Sequence, residues 1–98
     1  MLIMDTPRTD TFRGRRILTA HLLSDLPGEE GTAELLAFGA RLGLKAAWLQ
    51  NRGEPKEHFD LMGARCQAAQ DAGAVVDKHR LVQAIREKRV SSIFLEPS

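Results

Sequence analysis

The chain has 98 residues, 43% hydrophobic and 28% charged, which is the size and composition of one globular domain. Fourteen basic and thirteen acidic side chains give a formal charge of +1, so the basic excess of a dedicated nucleic-acid binder is missing and nucleic acid is not an expected partner. The single Cys66 excludes a disulfide framework and no apolar run is long enough to cross a bilayer, so we expect one cytoplasmic domain without membrane contact.

Short apolar runs between turn residues predict the strands. Residues 2–4 form the first run, and the Asp-Thr-Pro that follows it is typical of a turn. Residues 8–16 are polar and are predicted to be a loop. Residues 17–23 are apolar on both faces of an extended chain, as in a sheet that helices cover. Further short strands are predicted at residues 46–49 and 74–76.

Three later segments have the hydrophobic period of a helix. Residues 32–42 carry apolar side chains at positions i, i+3, i+4 and i+7. Residues 61–72 are predicted to form a second helix with Asp60 as its N-cap. Asp77 is predicted to cap a third helix, which ends in a basic turn at residues 86–89.

The order of these elements predicts a single α/β domain. Strands that alternate with helices imply βαβ crossovers, and therefore a small, mostly parallel sheet of about four strands flanked by three helices. Residues 90–98 are expected to be a tail, in which residues 91–95 dock or add an edge strand and residues 96–98 fray. Because no helix joins the first two strands, an antiparallel pair is the alternative. Asp5 and Asp25 would then lie at opposite edges of the sheet.

Polar residues follow the predicted strands, and open α/β sheets bind ligands at the carboxyl ends of their strands. His21 stands within an aliphatic strand, where its ring needs a hydrogen-bond partner or a place in a site. His58 and Asp60 lie together before the second predicted helix. We predict catalytic acid–base groups at His21, His58 and Asp60, and ligand-binding groups at Asp5, Asp25 and Arg65.

These residues also have structural explanations. Asp60 suits a helix cap, and His21 suits a half-buried structural histidine. His58 and Asp60, with His21 and with Asp5 or Asp25, are alternatively a metal-binding set of two histidines and one or two carboxylates. They do not have the spacing of a known metal motif, so we assign no metal ligand and identify no cofactor. Cys66 is expected to be buried in the second helix and inert.

The predicted function is the binding, with or without turnover, of a small anionic or phosphorylated ligand in a His/Asp/Arg pocket. Whether the protein is an enzyme is left open. One alternative is a protein-interaction module that contacts a partner, or a second copy in a homo-oligomer, through Phe94 and the basic third helix. The other is a nucleic-acid-associated module, in which basic residues of the first loop and the last helix share one face.

Several segments resemble a small bacterial and phage family, Domain of Unknown Function 4031. The resemblance covers about residues 2–89, and its most specific parts are His21-Leu22-Leu23-Ser24-Asp25 and His58-Phe59-Asp60. The family usually has Tyr in place of Phe59 and Trp in place of Thr19. The resemblance implies no activity. It implies that six positions are characteristic of the family: Asp5, His21, Asp25, His58, Asp60 and Arg65.

Overall fold

The computed structural model describes the backbone of residues 1–95 and the side chains of residues 1–91. In this part of the chain, five strands form one sheet and three helices pack against it. The strands are β1 (Leu2–Met4), β2 (Arg8–Phe12), β3 (Arg15–Ser24), β4 (Phe59–Met62) and β5 (Val75–Val76); the helices are α1 (Gly28–Arg41), α2 (Ala64–Asp71) and α3 (Lys78–Leu95).

Strand β3 is the centre of the sheet. It pairs antiparallel with β4 along one edge, and with β1 and then β2 along the other. Leu22 pairs with both Met4 of β1 and Phe59 of β4, and Thr19 likewise lies between β2 and β4. Strand β5 adds outside β1 and is parallel to it. The α/β class is therefore right, but the predicted mostly parallel sheet is wrong, because the sheet is mixed and mostly antiparallel.

A hairpin that the sequence prediction assigned to a loop accounts for part of this difference. Residues 8–16 form β2, a turn and the start of β3. The turn residues Arg13 and Gly14 both have positive φ, 51° and 75°, as in the two-residue turns that match the twist of paired strands. Strand β2 is polar except for the exposed Phe12, and none of its side chains is buried, so no hydrophobic alternation marks it in the sequence.

Strand β4 accounts for the rest of the difference between the predicted and the observed sheet. The segment read as the start of a helix capped by Asp60 is extended, and only the part after Gly63 is helical. Phe59 and Leu61 are buried and alternate with the exposed Asp60 and Met62, which is the period of a strand. Asp60 is therefore not a helix cap, and its side chain is on the face of the sheet away from Phe59.

Other boundaries also differ. Residues 46–49, predicted as a strand, contain a short 3-10 helix (Ala46–Trp48) whose residues are exposed. Helix α1 begins at Gly28 rather than at residue 32, and α3 continues through Leu95 instead of ending in the basic turn. The predicted fraying of residues 96–98, and the side chain of Phe94, lie outside the described residues.

Helix α1 ends in a turn at Gly43. Gly43 has a φ of +78°, and the N–H groups of Gly43 and Leu44 donate to the carbonyls of Ala40 and Gly39. This is the Schellman arrangement, which satisfies the last carbonyls of a helix and favours glycine at this position.

The helices cover the two faces of the sheet unequally. Alternate residues of β3, among them Leu22, point towards α1 and α2 and form the main core. On the other face, α3 packs through Leu81 onto Ile3 and Leu23 near the end of β3. The remainder of that second face, here called the open face, is left uncovered by α3. The register places these side chains on it: Arg8, Asp10, Phe12, Arg15, Ile17, Thr19, His21, His58, Asp60 and Met62.

Asp77 caps α3 as predicted, since its carboxylate accepts a hydrogen bond from the N–H of Arg80 at 3.1 Å. We expect Asp77→Ala to lower the free energy of unfolding by about 1 kcal/mol, because this bond satisfies a free N–H of the first turn. Urea denaturation measures the change. Asp71→Ala, at the carboxyl end of α2, is the matched control and is expected to change stability by less than about 0.5 kcal/mol. Equal effects of the two substitutions would contradict the capping role.

A search of the described helices finds none with the length and apolar character needed to span a membrane.

Candidate functional site

Adjacent strands bring two histidines and an aspartate together on the open face. His21 of β3 is paired directly with Asp60 of β4, and directly opposed residues project from the same face. His58 precedes Asp60 by two residues and therefore lies on that face as well. The two imidazole rings meet edge-on, with centroids 5.4 Å apart. One ligand atom from each residue lies within 4.8 Å of the others, and we call this group the His/Asp cluster.

Asp5 orients the ring of His21. Residues 5–7, between β1 and β2, stand opposite only two residues of β3, Ala20 and His21. This one-residue excess is a β-bulge. At the bulge, one carboxylate oxygen of Asp5 accepts the backbone N–H of His21 at 2.6 Å. The other accepts the Nδ1–H of the ring at 2.8 Å. These bonds fix the tautomer of His21 and leave its Nε2 lone pair free.

The other two members are oriented in the same way. His58 donates its Nδ1–H to the backbone carbonyl of Lys56 at 2.7 Å, which leaves Nε2 free on this ring too. The amide of Gln50 donates to Oδ2 of Asp60, so Oδ1 is the oxygen that faces the rings. Oδ1 lies 3.4 Å from Nε2 of His58 and 3.9 Å from Nε2 of His21.

The distances and ligand types of this group can be compared with those of a metal site. Two imidazole nitrogens and a carboxylate oxygen are the ligands that Zn²⁺ and neighbouring transition metals prefer. With metal–ligand bonds near 2.0–2.1 Å, tetrahedral ligands stand about 3.3–3.4 Å apart. The His58–Asp60 distance of 3.4 Å meets this value, and the His21–Asp60 distance of 3.9 Å exceeds it by about half an ångström. Three protein ligands leave a fourth position for water or a substrate.

Cavities open on both sides of Asp60. A cavity of about 320 Å³, here called the open-face cavity, includes His21, Thr19 and Phe12 in its lining. A second cavity of about 420 Å³, here called the edge cavity, lies beyond β4 and includes Trp48 in its lining. Asp60 and Met62 line both cavities, so a ligand that occupies either one reaches the His/Asp cluster.

The open-face cavity also contains the carboxylate of Asp10, which contacts Thr19 and Arg8. The Thr19 hydroxyl donates to Asp10 at 2.7 Å, and the Arg8 guanidinium lies 3.4 Å from the same oxygen. The Thr19 hydrogen bond, together with the charge of Arg8, lowers the pKa of Asp10 below its usual value. Asp10 is therefore ionised at neutral pH and is not an acid that donates a proton there.

Two of the predicted site residues lie elsewhere. Asp25 follows the carboxyl end of β3 and lies beside the opposite end of β1 from Asp5, where its carboxylate binds the terminal ammonium group of Met1 at 2.6 Å. This is the outcome expected if the first two strands are antiparallel, as β1 and β3 are. Asp25 therefore does not line a pocket with Asp5.

Arg65 stands at the edge of the site. Its Nε donates to the carbonyl of Leu42 at 3.1 Å, at the end of α1, and its guanidinium lies 5.6 Å from the Trp48 ring centroid. Arg65 lines the edge cavity together with Asp60, so it is close to the cluster without contacting its ligand atoms. Through these contacts the guanidinium stabilises the end of α1 and packs against Trp48.

Cys66 is buried in α2, as the sequence predicts. Burial, with a smaller contribution from the negative charge of Asp5, raises the pKa of its thiol. The neutral thiol is a poor nucleophile, so Cys66 belongs to the core and not to the site.

Sequence reasoning missed two supporting groups and the bulge. Gln50 follows an apolar run that resembles a strand, and only the bridge between Gln50 and His58 reveals why its amide reaches Asp60. Lys56 contributes a backbone carbonyl, which any residue at that position supplies, so no side chain marks it. The Pro7 after Asp5 is a sequence signal for an interrupted edge strand, since proline has no N–H for a ladder.

Comparison with known proteins identifies a family but no activity. Neither the search of curated proteins nor the search of solved structures gives a match. The Phe59 ring is in the main core, on the face opposite the cluster, so a tyrosine hydroxyl at this position would not be directed at the site. The family model described as Protein of unknown function (DUF4031) matches residues 2–88, and the chain belongs to this family.

Proposed function

We propose that the protein binds a transition-metal ion, with Zn²⁺ as the reference case, through the Nε2 atoms of His21 and His58 and Oδ1 of Asp60. The observation that carries the proposal is the occupation of both Nδ1 atoms, by the Asp5 carboxylate and the Lys56 carbonyl. Metal-binding histidines donate their second ring N–H in this way, which aims the free nitrogen and raises its basicity.

The bound metal suits the hydrolysis of a small phosphorylated ligand. A metal with three protein ligands holds water in its open position and lowers the pKa of that water to about 7. His21, His58 and Asp60 would hold the metal, which would supply an activated water for attack on phosphorus. The water would give its proton to solvent, the ester P–O bond would break, and the leaving alcohol oxygen would keep the electron pair and take a proton from water. The metal also neutralises phosphate charge beside the Asp60 carboxylate.

Titration of the metal-free full chain with Zn²⁺ and Co²⁺ tests the proposal. We expect one ion per chain and a Co²⁺ absorption spectrum of a site with mixed nitrogen and oxygen ligands. At a free Zn²⁺ concentration 100 times the Kd, the free energy of unfolding rises by about 2.7 kcal/mol. His79→Ala removes the exposed histidine of α3 and is the control that leaves the titration unchanged. A chain that binds neither ion, or that binds through His79, contradicts the proposal.

A further inference from the structure

Two cavities beside the His/Asp cluster, the open-face cavity and the edge cavity, each contain an exposed aromatic side chain, whereas the described lining of a third, between the two histidines and α3, contains none besides the histidines. Phe12 is 53% exposed and lines the open-face cavity, and Trp48 is 45% exposed and lines the edge cavity. Phe38 and Phe59, by contrast, are buried in the main core. An exposed planar ring therefore stands on each side of Asp60.

A cation accompanies each exposed ring. The Arg13 guanidinium lies 5.5 Å from the centroid of Phe12. The Lys45 ammonium and the Arg65 guanidinium each lie 5.6 Å from the centroid of Trp48. Aromatic rings combined with cations are the surface that binds the bases and phosphates of a single-stranded nucleic acid.

A basic segment, the hairpin of residues 8–16, borders the open face. Residues 8–16 contain four arginines and one acidic residue, Asp10, although the whole chain has a formal charge of only +1. Arg8 and Arg15 are on the open face with Phe12. Residues 78–89 of α3 are also basic, with five Lys or Arg side chains against Glu87, but Lys88 is buried there, and burial lowers the pKa of its ammonium group. The formal charge of the whole chain, only +1, does not show the local excess on the hairpin.

The dimensions favour a polymer over a single nucleotide. Phe12 is paired with Arg15 of β3, and Arg15 precedes His21 by six residues. The backbone positions of Phe12 and His21 are therefore about 20 Å apart along the strand direction. A stacked strand advances about 3.4 Å per nucleotide, so this distance corresponds to several nucleotides. Stacking on Phe12 and Trp48 requires bases with free faces, which a double helix does not offer.

From these observations we infer that the substrate class is single-stranded nucleic acid. The strand lies along the open face, with bases stacked on Phe12 and Trp48 and one backbone phosphodiester at the His/Asp cluster. This inference rests on the proposed metal site, because the metal is the group that would bind and activate the phosphodiester.

Fluorescence anisotropy of the Zn²⁺-loaded full chain tests the inference. The probes are labelled single strands of DNA and RNA of about 12 nucleotides, and the duplex of the same sequence. We expect salt-dependent binding of a single strand and binding of the duplex at least about 10-fold weaker. Phe12→Leu and Trp48→Leu are each expected to weaken single-strand binding about 5- to 100-fold without changing the Zn²⁺ affinity.

The control variants are on α3. Val90→Ala changes an exposed apolar residue, and Arg86→Gln removes an exposed arginine to match Arg15→Gln on the hairpin. Of the two arginine variants, we expect only Arg15→Gln to lower the salt dependence of single-strand binding. The slope of log K against log salt concentration is expected to become smaller in magnitude by about 0.7. A chain that binds Zn²⁺ but no single strand, or that binds duplex equally well, overturns the inference and leaves the metal site standing. A chain that binds no metal overturns both.

Discussion

Phe59→Ala is expected to lower the free energy of unfolding by about 3–5 kcal/mol, a large part of the stability of a domain of this size. The ring is 1% exposed and packs in the main core, so its removal leaves a cavity as well as losing buried apolar area. Since Phe59 lies between His58 and Asp60 in the chain, the same ring holds the strand that positions two of the proposed ligands.

Two measurements distinguish this positioning role from general destabilisation. Leu35→Ala is the matched core truncation on α1, with an expected loss of about 2–5 kcal/mol. Both variants are compared by urea denaturation and, under conditions where each is folded, by Zn²⁺ titration. We expect a weaker Zn²⁺ affinity in Phe59→Ala alone. Equal affinities would show that β4 is held without this ring.

Gly39 of α1 provides an independent check on this contact. A Cβ added to Gly39 would lie 2.6 Å from Cε2 of Phe59, which is closer than atoms in a folded protein approach. Gly39→Ala therefore costs about 1–3 kcal/mol, although alanine favours a helix. In the double variant with Phe59→Leu the clash is relieved, and the two losses are expected to fall short of additivity by at least about 0.5 kcal/mol.

The sequence predicts elements well where one hydrophobic period dominates. The Schellman end at Gly43 and the cap at Asp77 follow from local hydrogen bonds that a few adjacent residues determine. Strand β4 is only four residues long, and the apolar positions of β4 and α2 together resemble one helix. Strand β2 contains no buried side chain, so only its pairing with β3 and the turn at Gly14 make it a strand.

The sequence predicts part of the candidate site, but the structure shows that its residues come together for different physical reasons. His21 was recognised because an imidazole in an aliphatic strand needs a partner, and the structure supplies Asp5. His58 and Asp60 were recognised as a pair, but their convergence on His21 depends on the antiparallel pairing of β4 with β3. That pairing is a long-range contact, which local periodicity does not specify. The prediction that Asp25 shares a pocket with Asp5 depends on a parallel sheet, whereas β1 and β3 are antiparallel.

Removal of any one ligand of the His/Asp cluster is expected to weaken Zn²⁺ binding at least about 100-fold, more than the loss of an outer hydrogen bond. The variants are His21→Ala, His58→Ala and Asp60→Asn. Because all three side chains are at least partly exposed, we expect the melting temperature of each metal-free variant to remain close to that of the unaltered chain. Isothermal titration measures the affinity, with His79→Ala and Asp71→Asn as controls.

Asp5→Asn separates orientation from ligation. The asparagine side-chain oxygen still accepts the backbone N–H of His21, but its NH₂ group cannot accept the Nδ1–H of the ring. The ring then loses the partner that fixes its tautomer, and we expect Zn²⁺ affinity to fall about 10- to 100-fold, less than for His21→Ala. If Asp5→Asn leaves the affinity unchanged while His21→Ala abolishes binding, the carboxylate holds the bulge and does not tune the metal. If a ligand variant binds Zn²⁺ as tightly as the unaltered chain, that residue is not a ligand.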